Sequence, residues 1–388
     1  MKISQKALIV FIFVSDTRCL FSAWMTCGRV RFAPYSPPGS DQLAAACANM
    51  LSQADCVILQ NHGVVTIGSS LQEAYDRFVS LENLALTIIN SLPIGVPRPL
   101  KKSILDMKEE RNVNYQKFLR SVSKCTHVYS CCSLRTVTGC EKEARSELCS
   151  FVERAYKHNI FTSSSGSISI RLPSSTDTNQ SEIASYLITP TNIDRRDINP
   201  RNICFLSNLD CCERNNCCAG ESDKSANNSQ EQSVKPVLYH PNQRDVLPSH
   251  ASEIHQTIYN MHPEVNSIVI AQPPYATAFC ITGEELNAAG IPESHLVLGD
   301  VKTLPFDCLE NSGLALSRTL DPPHGISTVL VNGFGLLSVA TTPLKAYMQV
   351  EVCESICGVM LTAMRRGPPT LLTNEQVKEI DVIFKDGH

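Results

Sequence analysis

One segment occurs twice in this chain at a fixed spacing. Val57-Ile-Leu-Gln-Asn-His62-Gly-Val-Val, Leu71-Gln-Glu-Ala-Tyr75 and Glu82 return as Val329-Leu-Val-Asn-Gly-Phe334-Gly-Leu-Leu, Pro343-Leu-Lys-Ala-Tyr347 and Glu354. His62 matches Phe334, Tyr75 matches Tyr347 and Glu82 matches Glu354, each at an offset of 272 residues. A register held over this span predicts a duplication, so the same supersecondary unit should be built twice. The copies differ at one residue of chemical weight. The imidazole of His62 can bind a metal or carry a proton, and the phenyl ring of Phe334 can do neither.

A length of 388 residues predicts two or three domains, and 43% hydrophobic with 19% charged residues is ordinary globular composition. A net charge of −4 offers no basic footprint for nucleic acid, so no such partner is expected. No apolar run reaches the roughly 18–20 residues that span a bilayer, so no transmembrane segment is expected. Lys2 and Lys6 flank the start of an apolar run over residues 7–14, which reads as a β-strand or a leader, with a signal peptide as the alternative. The 18 cysteines show no spaced framework. Isolated ones such as Cys56, Cys280, Cys353 and Cys357 read as reduced core residues, which favours the cytosol, with a secretory route as the alternative.

Along the chain, residues 1–29 form an N-terminal segment and 30–92 a compact unit. In that unit Ser40-Asp41 caps a helix, Val57-Ile-Leu and Val64-Val-Thr-Ile are strands around an Asn-His-Gly turn, and a helix starts near Leu71. Residues 93–139 read as a linker, 140–375 as a full second domain, and 376–388 as a tail. Within the second domain, residues 207–236 carry Cys211-Cys212 and Cys217-Cys218 among polar side chains. That composition predicts a disordered surface loop rather than a zinc knot, because the usual two-residue spacer is missing. Alternating helices and short strands predict an α/β class.

Several stretches together resemble the class II aldolase/adducin family. In the second domain they are Ser163-Ser-Ser-Gly-Ser-Ile-Ser-Ile-Arg171, Ile188-Thr-Pro-Thr-Asn192, Pro248-Ser-His-Ala-Ser-Glu-Ile-His255, and His262 through Phe279 with the segment around Phe334. In the first unit Leu59-Gln-Asn-His-Gly-Val-Val-Thr-Ile-Gly68 is similar to the family's metal-binding turn, and the likeness runs from about Arg31 to Ile89. The resemblance implies an α/β/α sandwich around a mainly antiparallel sheet, complete in the second domain and truncated in the first. It also implies a divalent metal, usually zinc, in active members. That metal is held by a His-x-His strand and a turn histidine beside an acidic residue, and it stabilises an enediolate as a carbon–carbon bond breaks.

Carried over position by position, the acidic residue falls on Ala251, the His-x-His pair on Ile270 and Gln272, and the third histidine on Phe334. Three of these have no coordinating atom and a lone glutamine is a poor ligand, so the second domain is expected to hold no cofactor. His62 would be a ligand by resemblance, but its partners are absent from this chain, which leaves a backbone-bonded turn histidine as the competing reading. The phosphate cradle of the resemblance falls on Ser164, Gly166, Ser167, Ser169, Thr191, Asn192 and Ser249, which read equally as ordinary turn residues. His240, His250, His255 and His262 read as surface or helix-end histidines.

Three functions follow as expectations. The first is a degenerate, non-catalytic binding or scaffold subunit, as adducins use the fold, though without their basic tail and charged rod. The second is an active zinc-dependent aldehyde-lyase or epimerase of sugar phosphates if the first copy is completed. The third is a sugar-phosphate sensor. Partners expected by resemblance are a homo-oligomer or a related aldolase-like subunit, with sugar phosphate as ligand.

Overall fold

The computed structural model describes residues 16–106, 137–173, 185–207, 237–239 and 246–384. The apolar run at 7–14, the two Cys-Cys pairs with nearly all of their polar insert, and His240 lie outside the described residues.

Among the described residues, eleven strands form two sheets. The first unit runs α1 (Phe21–Cys27), β1 (Val30–Ala33), α2 (Asp41–Leu51), β2 (Cys56–Leu59), β3 (Gly63–Thr66) and α3 (Leu71–Ser91). The second opens with α4 (Gly139–Lys157), β4 (Ser167–Arg171), β5 (Tyr186–Ile188), β6 (Cys204–Ser207) and β7 (Val237–Tyr239). It continues through α5 (Ser252–Met261), β8 (Ser267–Ala271), α6 (Pro274–Thr282), α7 (Pro292–Leu298), β9 (Lys302–Leu304) and α8 (Glu310–Thr319). It closes with β10 (Thr328–Val331), β11 (Gly335–Ala340), α9 (Pro343–Met364) and α10 (Asn374–Phe384).

The large sheet has the order β7-β6-β5-β4-β8-β11-β10-β9, antiparallel throughout except for the β9–β10 pair. Its strands alternate between two apolar layers, as a pleat requires. Val269 and Ala271 face a core built with Leu148, Phe279 and Val350 from α4, α6 and α9. Ile268 and Ile270 face a second core with Ile254, Ile258 and Leu316 from α5 and α8. Helices therefore cover both faces, and the sandwich architecture expected from the sequence is the one observed.

The repeated segments share their strand register. Cys56 pairs with Thr66 and Leu59 with Gly63, while Thr328 pairs with Ser338 and Val331 with Gly335. In both, the first strand also has a parallel neighbour, β1 or β9. The capping residues correspond too: Ser70 accepts from the Glu73 N–H and Thr342 from the Lys345 N–H. Even a side-chain pair recurs at equivalent positions, as Arg77–Asp55 at 2.8 Å in the first unit and Gln349–Ser327 at 2.7 Å in the second. The first pair stands partly exposed and is ionic; the second is buried and neutral, where unpaired charge would cost most.

Contacts cross three of the boundaries expected from the sequence. Cys19, Leu20, Ala23 and Cys27 share one core with Val30, Ile58 and Leu81. The start of the linker is docked: the Arg98 N–H donates to Ile281 O at 2.8 Å, and Ile104 is buried against the second unit. The tail is helical over α10 and is tied to α7 by His295 Nε2, 2.9 Å from Asp381 Oδ1.

Candidate functional site

The His62–Phe334 exchange sits in one conserved turn geometry. The His62 N–H donates to Leu59 O at 3.1 Å and the Phe334 N–H to Val331 O at 3.0 Å. Both turns need a left-handed residue just before, which Asn61 supplies at φ 56° and Gly333 at φ 66°. His62 is solvent-exposed. Among the described residues, no three His, Cys, Asp or Glu side chains gather closely enough to hold a metal ion.

Of the four positions where the resemblance places ligands in the second domain, Gln272 and Phe334 are in direct contact. Ile270 ends the inner stretch of β8 opposite Leu337 of β11, and Gln272 Nε2 donates to Phe334 O at 3.3 Å. Ala251, Ile270 and Phe334 all pack on one apolar cluster. Phe306 stacks edge-on against Phe334 at 6.3 Å, and Phe21 of the first unit lies 5.4 Å from Phe306. Gln272 is the only one of the four with a donor or acceptor side chain. Its Oε1 is buried with no hydrogen-bond partner among the described residues. A divalent cation needs three such protein groups, so these residues do not fit the family's metal.

The loops assigned to a phosphate cradle converge around Arg195. Its Nη1 donates to the carbonyls of Pro190 and Ile193, both at 3.0 Å, and its Nη2 to Gly166 O at 2.8 Å. The Arg195 N–H reaches Ser163 O at 2.9 Å, and Pro190 bridges Pro248 across the gap to the third loop. Burial brings the Arg195 guanidinium down to about 10, against the pull of Asp194 and Asp76. Gly166 holds φ +93° under the ring of Phe161, a conformation that favours glycine.

Within that arrangement the named residues separate into two groups. Ser164 and Asn192 stand exposed at the rim. The Thr191 N–H is taken by Leu247 O and the Ser249 N–H by Thr189 O, while Ser249 Oγ accepts from the Ala251 N–H. Ser167 and Ser169 are buried and face inward: Ser167 Oγ lies 3.0 Å from His255 Nε2, and Ser169 Oγ lies 2.7 Å from both His255 Nδ1 and the Tyr259 hydroxyl. His255 is thus an interior residue, correcting its reading as a surface or helix-end histidine. Burial drives its imidazole down to about 3, which keeps it neutral. His262 does close a helix, as read, with Nε2 2.8 Å from Ser317 O.

The first unit supports this site directly. Ser163 Oγ donates to Asp76 Oδ1 at 2.6 Å, and Gln72 Nε2 donates to Asp194 Oδ2 at 3.2 Å. Burial would raise the Asp194 carboxyl, but its bonds from Arg196 and Gln72 outweigh that and hold it below the usual carboxylate range. Arg196 lies over the ring of Tyr75 at 5.1 Å. Arg195, Asp76 and Gln72 were not singled out from the sequence, and only the Arg195-Arg196 run after the second loop offered a signal.

The family model described as "Class II Aldolase and Adducin N-terminal domain" matches residues 8–89 and 146–361. The chain therefore belongs to the class II aldolase and adducin N-terminal domain family. It is 39% identical over 66 residues to the L-fuculose phosphate aldolase of Methanococcus maripaludis, covering 16% of this chain and 36% of that protein. It is 36% identical over 72 residues to the 3-oxo-tetronate 4-phosphate decarboxylase of Escherichia coli, covering 18% and 34%. The chain thus spans about a third of the length of these curated relatives. Among solved structures, the L-fuculose 1-phosphate aldolase of Glaciozyma antarctica aligns with a TM-score of 0.47 at 18% identity, covering 65% of this chain and 84% of that one. The sugar-phosphate aldolase of Thermotoga maritima aligns with a TM-score of 0.44 at 18% identity, covering 59% and 97%. Among the described residues no helix is long and apolar enough to cross a membrane.

Proposed function

We propose that this chain is a non-catalytic member of its family, a pseudoenzyme built from two copies of the domain, acting as a binding or scaffold subunit. One observation carries the reading. Where the family pattern calls for metal ligands, Ala251, Ile270 and Phe334 lie against an apolar cluster that includes Phe306 and Phe21, and Gln272 alone offers a polar group. Without an electrophile the family's carbon–carbon cleavage loses the group that stabilises its enediolate, a contribution of several kcal/mol. The test is elemental analysis of purified full-length protein after dialysis. Zinc, manganese and iron each far below one per chain are expected. A stoichiometric divalent metal, with release of an aldehyde from L-fuculose 1-phosphate, would overturn the reading.

Sugar-phosphate sensing is the second reading, supported by the two loops that Arg195 ties together, with Ser164 and Asn192 at the rim. Calorimetry with L-fuculose 1-phosphate should then give saturable heat that Ser164→Glu abolishes. No heat from the folded wild-type chain removes this reading.

A further inference from the structure

Two thiols of the first unit lie in contact, apart from the cradle loops and from the positions of the family's metal ligands. Cys27 is the last residue of α1 and Cys56 the first of β2. Both are free, 3% and 0% exposed, in the core that α1 shares with β1, β2 and α3. The Cys56 and Cys27 thiols are hydrogen-bonded to each other, and the Cys27 thiol also donates to Arg77 O at 3.3 Å. One side chain holds the two segments side by side. Arg77 Nε donates to Thr26 O at 3.3 Å, and its Nη2 lies 2.8 Å from Asp55 Oδ2. Thr26 and Asp55 are the residues immediately before Cys27 and Cys56. The guanidinium thus fixes both cysteine-bearing segments and sets a positive charge beside the thiols, within an ion pair that reaches solvent at Asp55, whose side chain is 50% exposed.

The second unit has no such pair. At the offset of 272 residues, Thr328 stands for Cys56 and Gln349 for Arg77. The end of α6, Ala278-Phe-Cys-Ile-Thr-Gly283, resembles Ala23-Trp-Met-Thr-Cys-Gly28 of α1. Both helices stop at a glycine of positive φ, 69° and 60°, whose N–H returns to the aromatic residue four positions back. Thr282 therefore stands for Cys27. Thr282 and Thr328 are buried, at 1% and 0% exposure, so the second unit fills both places without sulfur. Packing alone does not call for a thiol at either position of the first unit.

We propose that Cys27 and Cys56 are a redox site of the first unit, closing to a disulfide that staples the end of α1 to the start of β2, with a small peroxide as the oxidant. The bond to Cys27 first, and burial second, push the Cys56 thiol up, so Cys56 keeps its proton and Cys27 attacks first. The Cys27 sulfur bonds to one oxygen of hydrogen peroxide and the O–O bond breaks. The departing hydroxide leaves as water with the Cys27 proton, and Cys27 becomes a sulfenic acid. The Cys56 sulfur then attacks the Cys27 sulfur, the S–O bond breaks, and hydroxide leaves as a second water with the Cys56 proton. Two thiols lose two electrons, and one peroxide is reduced to two waters. The staple bears on the second unit through α3, on which α1 packs, because Asp76 and Gln72 of α3 hold Ser163 and Asp194. The site stands whether or not the second unit turns over substrate.

The test is treatment of the folded full chain with hydrogen peroxide in metal-free buffer, then blocking of free thiols and peptide mass spectrometry. Far-UV circular dichroism follows the fold throughout. A Cys27–Cys56 linked peptide, lighter by two hydrogens and cleared by dithiothreitol, is expected. Cys56→Ala should abolish it, while Cys19→Ala, in the same core, leaves its yield within about twofold. Cys27 and Cys56 recovered as free thiols, under conditions that oxidise the exposed Cys140, overturn the proposal. So does a link that forms only once urea has unfolded the chain, or one that joins Cys27 to Cys19 or Cys47 instead.

Discussion

Asn83 of the first unit donates its side-chain amide to the main-chain carbonyl of Gln272 in the second, at 3.0 Å. That carbonyl follows directly on β8 and belongs to the second of the two positions, Ile270 and Gln272, where the family pattern places metal ligands. The two units therefore meet beside a position where the family pattern places a metal ligand, and the geometry of one depends on the other. Asn83→Leu should leave the Gln272 carbonyl without this donor and cost about 1–3 kcal/mol of stability. Urea unfolding monitored by far-UV circular dichroism measures it. A loss well below half a kcal/mol would show that the contact is incidental.

His255 makes stability depend on pH in a defined direction. Burial depresses its folded-state value to about 3 from an ordinary 6.5. Between those limits the unfolded chain binds the extra proton and the folded chain does not, so stability falls as pH drops through this window and is retained above it. The slope from this one group approaches about 1.4 kcal/mol per pH unit at most. Urea midpoints at several pH values between 4 and 7 for wild type and His255→Gln should therefore converge toward acid pH, because only the wild type carries this dependence. Parallel curves would mean that the imidazole is protonated in the fold, against its burial beside Ser167, Ser169 and Tyr259.

The shared register of β2–β3 and β10–β11 was legible in the sequence because a strand pair and its turn are local, and local geometry follows from local residues. The exchange of His62 for Phe334 was legible for the same reason, since a phenyl ring binds no metal in any fold. The interior place of His255 was not. It lies on a ten-residue helix whose apolar stripe, Ile254 and Ile258, is flanked by His255 and Tyr259 one position on, and periodicity alone does not show that a second face is buried as well. Helix α1 was missed because it is seven residues long and Leu20 provides no side-chain cap, so neither a start signal nor a period was available. The Asn83–Gln272 bond joins residues 189 apart, and nothing in either local sequence marks it.

Gly166 links the cradle loop to the core beneath it. A Cβ at this position would lie 2.1 Å from Cδ1 of Phe161, whose ring is itself buried, and the backbone φ of +93° is unfavourable for any L side chain. Gly166→Ala should cost about 2–4 kcal/mol, combining backbone strain with a forced shift of the ring. Thermal unfolding would report it. A variant as stable as the wild type would mean that the loop can relax away from Phe161, and with it the positions of Ser164 and Ser167.

Arg195 is the residue on which the loop arrangement should depend most. Its guanidinium is buried and serves carbonyls of Pro190, Ile193 and Gly166, three groups from two different loops. Arg195→Leu fills much of the volume but supplies no donors, so those carbonyls lose their partners in a dry environment. A loss of about 3–5 kcal/mol is expected. Arg195→Lys should recover only part, because one ammonium cannot reproduce the planar fork that reaches both loops. Hydrogen exchange localises the effect: residues 163–167 and 190–195 should exchange faster in Arg195→Lys, while the β10–β11 pair, which Arg195 does not touch, keeps its protection. Uniform acceleration across the second unit would instead make Arg195 a general core residue with no particular hold on the two loops.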